Sequence, residues 1–329
     1  MERELPPLNN FINITPDNFT ASALQMFYYQ AKAVPVYRKF LQLLDVKPEK
    51  ITALHQIPFL PVELFKTHSI IANGFIPEIT FESSGTTDSI TSKHHVANLE
   101  IYKKSILQTF KKFYGNPKDY CILALLPSYI ERNNASLIFM TNYLMELGGN
   151  SNNGFYLNNQ QELADTLKQN ETKKIKTLLI GVSFALLDFA EKFPMPLRQT
   201  IIMETGGMKG RRKEITRNEL HTILMDAFQL PAIHSEYGMT ELLSQAYSTG
   251  NGIFFTSPWM RILIRDTTDP FTILETQKNG LINIIDLANQ YSCSFIATQD
   301  TGILYTENSF GVSGRFDTAD VRGCNLMVV

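Results

Sequence analysis

The spacing of apolar and polar positions divides the chain into a helical, an alternating and a short-stranded stretch. Ala21, Leu24, Phe27 and Tyr28, then Val36, Phe40 and Leu43, recur at helical spacing across 18–45, and Pro35 predicts a break there into two helices. The I-P-F-L-P-V run at 57–62 reads as extended, because each proline biases its predecessor away from the helix, and 63–65 reads as one turn of helix. An amphipathic helix is predicted over 96–114, with Lys103, Lys104, Lys111 and Lys112 on a basic face. Short apolar runs at 121–126, 176–182 and 199–203 have the profile of buried strands, with helices predicted at 135–147 and 183–192. Strands alternating with helices predict an α/β fold with a largely parallel sheet. From 252 onward, runs at 261–265, 281–286 and 294–298 alternate with turns and predict a smaller antiparallel β region. The expected organisation is a helical N-terminal region over 1–75 and an α/β core over 76–329. Ligands of such sheets bind beyond the carboxyl ends of strands, which points to the segments after Met203 and after Ile233.

Composition narrows the classes. The 329 residues are 44% hydrophobic and 19% charged, enough for a large core. A net charge of −2 gives no electrostatic case for a nucleic-acid partner. No apolar run reaches the roughly 18 residues of a transmembrane segment, and the opening M-E-R-E-L-P-P has no signal-peptide core. Three cysteines, Cys121, Cys293 and Cys324, cannot all pair and show no C-x-x-C spacing, so free thiols in a reducing cytoplasm are expected.

Candidate chemistry lies in three segments. The stretch 81–93, F-E-S-S-G-T-T-D-S-I-T-S-K, is small and hydroxyl-rich. Ser83, Ser84, Gly85, Thr86 and Thr87 suit a polyphosphate, since glycine admits close approach and consecutive N–H groups form an anion nest. A solvated loop is the plain alternative. The second segment is E-T-G-G-M-K-G at 204–210, where Gly206 and Gly207 leave bare backbone for a flat ligand. The basic residues Lys209, Arg211, Arg212 and Lys213 read first as a solvated face. The third is S-E-Y-G-M-T-E at 235–241.

An S-S-G-T-T loop, a G-G turn and Y-G-x-T-E, in that order, resemble the adenylate-forming superfamily of acyl-CoA synthetases, luciferases and nonribosomal adenylation domains. Asp300 in F-I-A-T-Q-D-T-G resembles its ribose-binding aspartate, and Gly314 and Arg315 in G-R-F-D its G-R-x-x-D element. The resemblance implies the N-terminal-domain fold of that superfamily, binding of ATP and Mg²⁺ with Gly238 among the nucleotide-binding residues, Tyr237 stacked on adenine, Thr240 on phosphate or the adenylate and Glu241 helping to hold the metal. A core aromatic at 237 and a helix N-terminal carboxylate at 241 are the plain alternatives.

Within the superfamily, the chain resembles the LuxE-type acyl-protein synthetases of the fatty acid reductase complex over nearly its whole length. The matching stretches include I-P-F-L-P-V-E-L-F-K at 57–66, L-P-S-Y-I-E-R at 126–132 and V-R-G-C-N-L at 321–326. The sequence ends soon after G-R-F-D, so the usual C-terminal domain with its catalytic lysine is expected to be lacking. The resemblance implies activation of a fatty or related carboxylic acid, capture by Cys324 and delivery to an acyl-CoA-reductase-like partner. Arg322, two residues from Cys324, would favour the thiolate. Asp88 stands where many relatives carry glycine, and Lys93 sits two positions later than the usual loop lysine. Lys93, Lys209, Arg211 and Arg315 are candidates to replace the missing cation. An acyl- or aryl-CoA ligase and a non-catalytic nucleotide-binding subunit are the rival readings. His94, His95 and His234 adjoin these motifs without a ligand cluster.

Overall fold

The computed structural model describes residues 5–8, 10–83, 90–127, 134–206 and 215–316. It forms two compact units, Met1–Ile76 with Pro258–Val329, and Pro77–Ser257. Among the described residues no helix is long and apolar enough to cross a membrane.

The first unit begins with α1 (Pro16–Ala33) and α2 (Pro35–Leu43). Val34 is extended between them, as proline at the following position requires. The 57–62 run supplies β1 (Leu60–Pro61), and α3 (Leu64–Thr67) follows at once.

The second unit opens with a hairpin of β2 (Ile79–Glu82) and β3 (Lys93–Val96), paired antiparallel. Next comes α4 (Leu99–Tyr114), begun by Asn98, whose side chain accepts from the Glu100 N–H. Then strands and helices alternate: β4 (Cys121–Leu125), α5 (Ser136–Gly148), β5 (Gly154–Phe155), α6 (Gln160–Thr172), β6 (Thr177–Val182), α7 (Ser183–Lys192), β7 (Thr200–Thr205), α8 (Arg217–Phe228) and β8 (His234–Tyr237). Strands β5, β4, β6, β7 and β8 lie side by side and parallel. Two antiparallel strands, β9 (Ala246–Ser248) and β10 (Ile253–Thr256), extend the sheet beyond β8. Every residue of β4 and β6 is buried, the signature of strands covered on both faces. Here α5 packs on β4, and α7 on β6, β7 and α8.

The chain then returns to the first unit as β11 (Met260–Arg265), β12 (Asn279–Asp286), β13 (Phe295–Thr306) and β14 (Ser309–Arg315), an antiparallel meander. Leu60 and Pro61 of β1 pair parallel with Ile296 and Ala297 of β13. Around Phe295 stand Phe27, Tyr37 and Phe59, with ring centroids 6.0, 6.1 and 6.2 Å away. Buried Gln30 of α1 donates to the carbonyls of Asn289 and Gln290 and accepts from the Ser294 N–H, which gives three buried backbone groups of that turn their partners. Arg265 is likewise buried and donates to the carbonyls of Ile282 and Thr298 and to Asn283 Oδ1, where the β12–β13 register shifts. Burial lowers its guanidinium's affinity for a proton, opposed by Glu63.

Candidate functional site

In the second unit, three neighbouring parallel strands end together. The strand that starts at Thr200 runs on through Glu204 and Thr205, two residues past the apolar run, and Gly206 leaves it with φ +69°. Only glycine takes that left-handed conformation freely. The Gly206 carbonyl accepts from Ser183 Oγ at 2.7 Å, which ties the end of β7 to the start of α7, directly after β6. Thr205 lies opposite Glu236 in the β7–β8 register, so Gly206 and Tyr237 follow at adjacent strand ends.

Two buried carboxyls sit beneath these ends in opposite environments. Burial alone would raise the Glu204 carboxyl. The hydrogen bond from His221, the charge of Arg217 and the Ser235 hydroxyl outweigh it and hold Glu204 below the usual carboxylate range. Arg217 Nε lies 3.1 Å and His221 Nε2 3.6 Å from Glu204 Oε1. Glu236 has no such cation among the described residues. Burial pushes it up to about 7, the Thr205 hydroxyl opposes that, and the Glu204 charge adds to it. The Thr205 hydroxyl donates to Glu236 Oε2 at 2.6 Å. On the same strand, burial holds His234 down to about 4, and Tyr114 Oη lies 3.1 Å from its Nδ1.

The described ends of the hydroxyl-rich loop are closed by its own serines. Ser83 N–H donates to the Ser92 carbonyl at 3.1 Å, and Ser92 N–H to Ser83 Oγ at 2.9 Å. Lys93 is exposed and lies 3.8 Å from Glu82 across the hairpin. Fully buried His94 reaches the Thr240 carbonyl at 2.8 Å. A carbonyl only accepts, so Nδ1 carries the proton. This contact sets the stem of the loop against the Y-G-x-T-E segment.

Tyr237 is buried and meets Phe254 edge-on, centroids 6.0 Å apart. Gly238 is exposed, Thr240 half-buried and Glu241 buried. Thus Ser83, Lys93, Gly206, Tyr237, Gly238, Thr240 and Glu241 share this unit. Asp300 and Arg315 belong to the first unit, where they are cross-strand partners of β13 and β14. Arg315 is exposed, and the Asp300 N–H donates to Thr298 Oγ1. Ser84, Gly85, Thr86, Thr87, Gly207 and Cys324 lie outside the described residues, as do Asp88, Lys209, Arg211 and Arg322. Cys121 and Cys293 are buried, and burial pushes the Cys293 thiol up to about 12, which makes it inert.

Sequence reasoning passed over Glu204 and Glu236 as chemistry, and Ser183, Arg217 and His221 altogether. No local signal marked them: the apolar run predicts a strand only as far as Met203, and both glutamates prove to stand in strands, where acidic residues are uncommon. A nucleotide fits the residues present, with bare backbone at Gly206 beside an aromatic strand end. No group of three or more metal-ligating side chains occurs among the described residues. A single carboxylate such as Glu241 still suits Mg²⁺, which keeps several waters and takes one or two protein carboxylates beside phosphate.

A family model described as acyl-protein synthetase, LuxE, matches residues 14–329. No curated protein matches the sequence. Among solved structures, 2-hydroxyisobutyryl-CoA ligase in complex with 2-HIB-AMP and CoA is similar at TM-score 0.68 and 13% identity, over 97% of this chain and 74% of that one. ATP-bound MatB from Rhodopseudomonas palustris is similar at TM-score 0.55 and 13% identity, over 72% of this chain and 47% of that one. A luciferase-like enzyme from the nonluminescent Zophobas morio mealworm gives 0.51 and 15%, over 73% and 57%. The chain therefore spans less than half the length of MatB. At these identities the likeness is one of fold, that of the adenylate-forming enzymes.

Proposed function

Because the chain belongs to the LuxE acyl-protein synthetase family, we propose that it activates a fatty acid with ATP and passes the acyl group through its own cysteine to a partner reductase. A carboxylate oxygen attacks the α-phosphorus of Mg·ATP, the bond to pyrophosphate breaks, and an acyl-adenylate remains. The Cys324 thiolate attacks the acyl carbon of this mixed anhydride, and AMP leaves with the electron pair. A thiol of the partner then takes the acyl group by thioester exchange.

The observation that carries this reading is the joint ending of β7 and β8, with Gly206 left-handed beside Tyr237 and the loop stem held to Thr240 by His94. Tyr237 and Gly238 take adenine, with Gly206 and Gly207 offering backbone to its edge. The hydroxyl-rich loop from Ser83 to Thr87 takes the triphosphate, Thr240 the α-phosphate and Glu241 the Mg²⁺. Asp300 takes the ribose hydroxyls. Lys93 and Arg315 offset charge as pyrophosphate leaves. The Lys93–Glu82 pair is exposed and long, so it is worth little and readily exchanged for phosphate.

The test is incubation with ATP, Mg²⁺ and labelled fatty acids of several lengths. The expected result is label that survives denaturing gels, is released by hydroxylamine and is missing from Cys324→Ser, which still exchanges pyrophosphate into ATP. Equal labelling of the variant would exclude Cys324 as acceptor. Turnover that depends on added coenzyme A would instead favour an acyl-CoA ligase. Tight ATP binding with no exchange for any acid would favour a non-catalytic nucleotide-binding subunit.

A further inference from the structure

Glu236 is one of the buried residues at the β7–β8 ends that the proposed chemistry leaves unused. Its carboxyl is buried, bonded to Thr205 on the neighbouring strand, and lies against the backbone of Gly238. A Cβ added at Gly238 would overlap Glu236 Oε1, while the nearest atom of any other residue, Gln245 Cγ, would be a comfortable 3.6 Å away. The backbone of Gly238 is not left-handed. A side chain at 238 would therefore have to push the bonded carboxyl of Glu236 aside. One side chain joins the end of β7 to that of β8 and sets the space at the residue after Tyr237.

The groups that face it come from every neighbouring element. Glu204 and Thr205 stand on β7, Tyr114 on α4 and Tyr247 on β9, and both tyrosines are themselves driven up by burial and by the Glu236 charge. Arg217 and His221 of α8 are spent on Glu204. His234 on its own strand is held neutral by burial. A neutral Glu236 suits this surround. An ionised one faces the Glu204 charge with no cationic partner among the described residues.

We propose that Glu236 is a positioning residue that holds Tyr237 and Gly238 for the adenine ring while its carboxyl is protonated, and lets them go when it ionises. Nucleotide binding then weakens in alkali through a group that touches no part of the nucleotide. The inference rests on the adenylation reading only for the identity of the ligand.

The experiment is titration calorimetry of ATP with Mg²⁺ against the full chain, wild type and Glu236→Gln, from pH 5.5 to 8.5. ATP's own ionisation is common to both proteins and cancels in the comparison. Gln keeps the shape and the Thr205 hydrogen bond but cannot ionise. Relative to Glu236→Gln, the wild-type Kd is expected to rise about tenfold between pH 6 and pH 8, as the competent fraction falls. The two are expected to agree at pH 6. A protonated-carboxyl infrared band at pH 6, absent from Glu236→Gln and lost by pH 8.5, supports the assignment without ATP. Identical pH profiles, or no such band, overturn the proposal and leave adenylation standing. No ATP binding by either protein at any pH overturns both.

Discussion

At the residue scale, the neighbours Glu236 and His234 pull stability in opposite directions with pH. Glu236 is raised from 4.5 to about 7 in the fold. Between those values the unfolded chain has lost the proton and the folded one keeps it, so stability falls as pH rises, by on the order of 3 kcal/mol in all. His234 is lowered from 6.5 to about 4. There the unfolded chain binds the extra proton, so stability is lost as pH falls through that window. Denaturant unfolding of Glu236→Gln should therefore show a gain over wild type that is near zero at pH 4.5 and full by pH 7.5. A gain that is constant with pH would mean that Glu236 is ionised throughout. A second prediction isolates contact from charge. Gly238→Ala should destabilise wild type by about 1–3 kcal/mol, the usual range for overpacking. The same change in a Glu236→Ala background should cost little, because the obstructing oxygen is gone. Additive costs in the double-mutant cycle would show that the two positions do not meet.

At the scale of elements, β4, β6 and the first part of β7 were readable because they are short and apolar, and α1, α2, α4, α5 and α7 because of their apolar spacing, whereas β5 and β8 carry no such run. The joint at Pro35 and the helix after Asn98 follow from local chemistry alone. The last two residues of β7 were not readable, since Glu204 and Thr205 are polar and the partners that make them tolerable inside, among them Ser183, Arg217, His221 and Glu236, are distant in sequence. The same holds for His94, which the sequence offers merely as one of two adjacent histidines. Its bond to Thr240 spans 146 positions along the chain. His94→Leu should leave the Thr240 carbonyl without that donor and cost about 1–3 kcal/mol. If the hairpin carries the phosphate loop, ATP affinity should fall as well. Normal affinity in a destabilised variant would confine His94 to a structural part. At β7, Gly206→Ala forces a left-handed alanine, a cost of roughly 1–2 kcal/mol that also places a methyl at the proposed nucleotide edge.

At the scale of the molecule, the first unit draws on both parts of the sequence, which no local pattern announces. Apolar helical spacing marks Phe27 for burial but cannot name Phe295 as what it buries against, because that contact is set by topology. Phe295 sits fully buried among Phe27, Tyr37 and Phe59, and β13 pairs with β1. Phe295→Ala should thus cost about 3–5 kcal/mol, as large-to-small changes in aromatic cores do. Removing residues 1–76 takes away three of the rings around Phe295, the Gln30 bonds to the 289–294 turn and the β1 partner together. Amides of β12 and β13 should then lose their protection from hydrogen exchange, while β4 and β6, which belong to the other unit, keep theirs. Asp300 stands five positions beyond Phe295 on β13, opposite Arg315, so under the proposed function the truncated chain should also lose adenylation. Retained protection in β12 and β13 would mean that the meander folds without the N-terminal helices, and that the aromatic cluster is a consequence of the unit and not its cause.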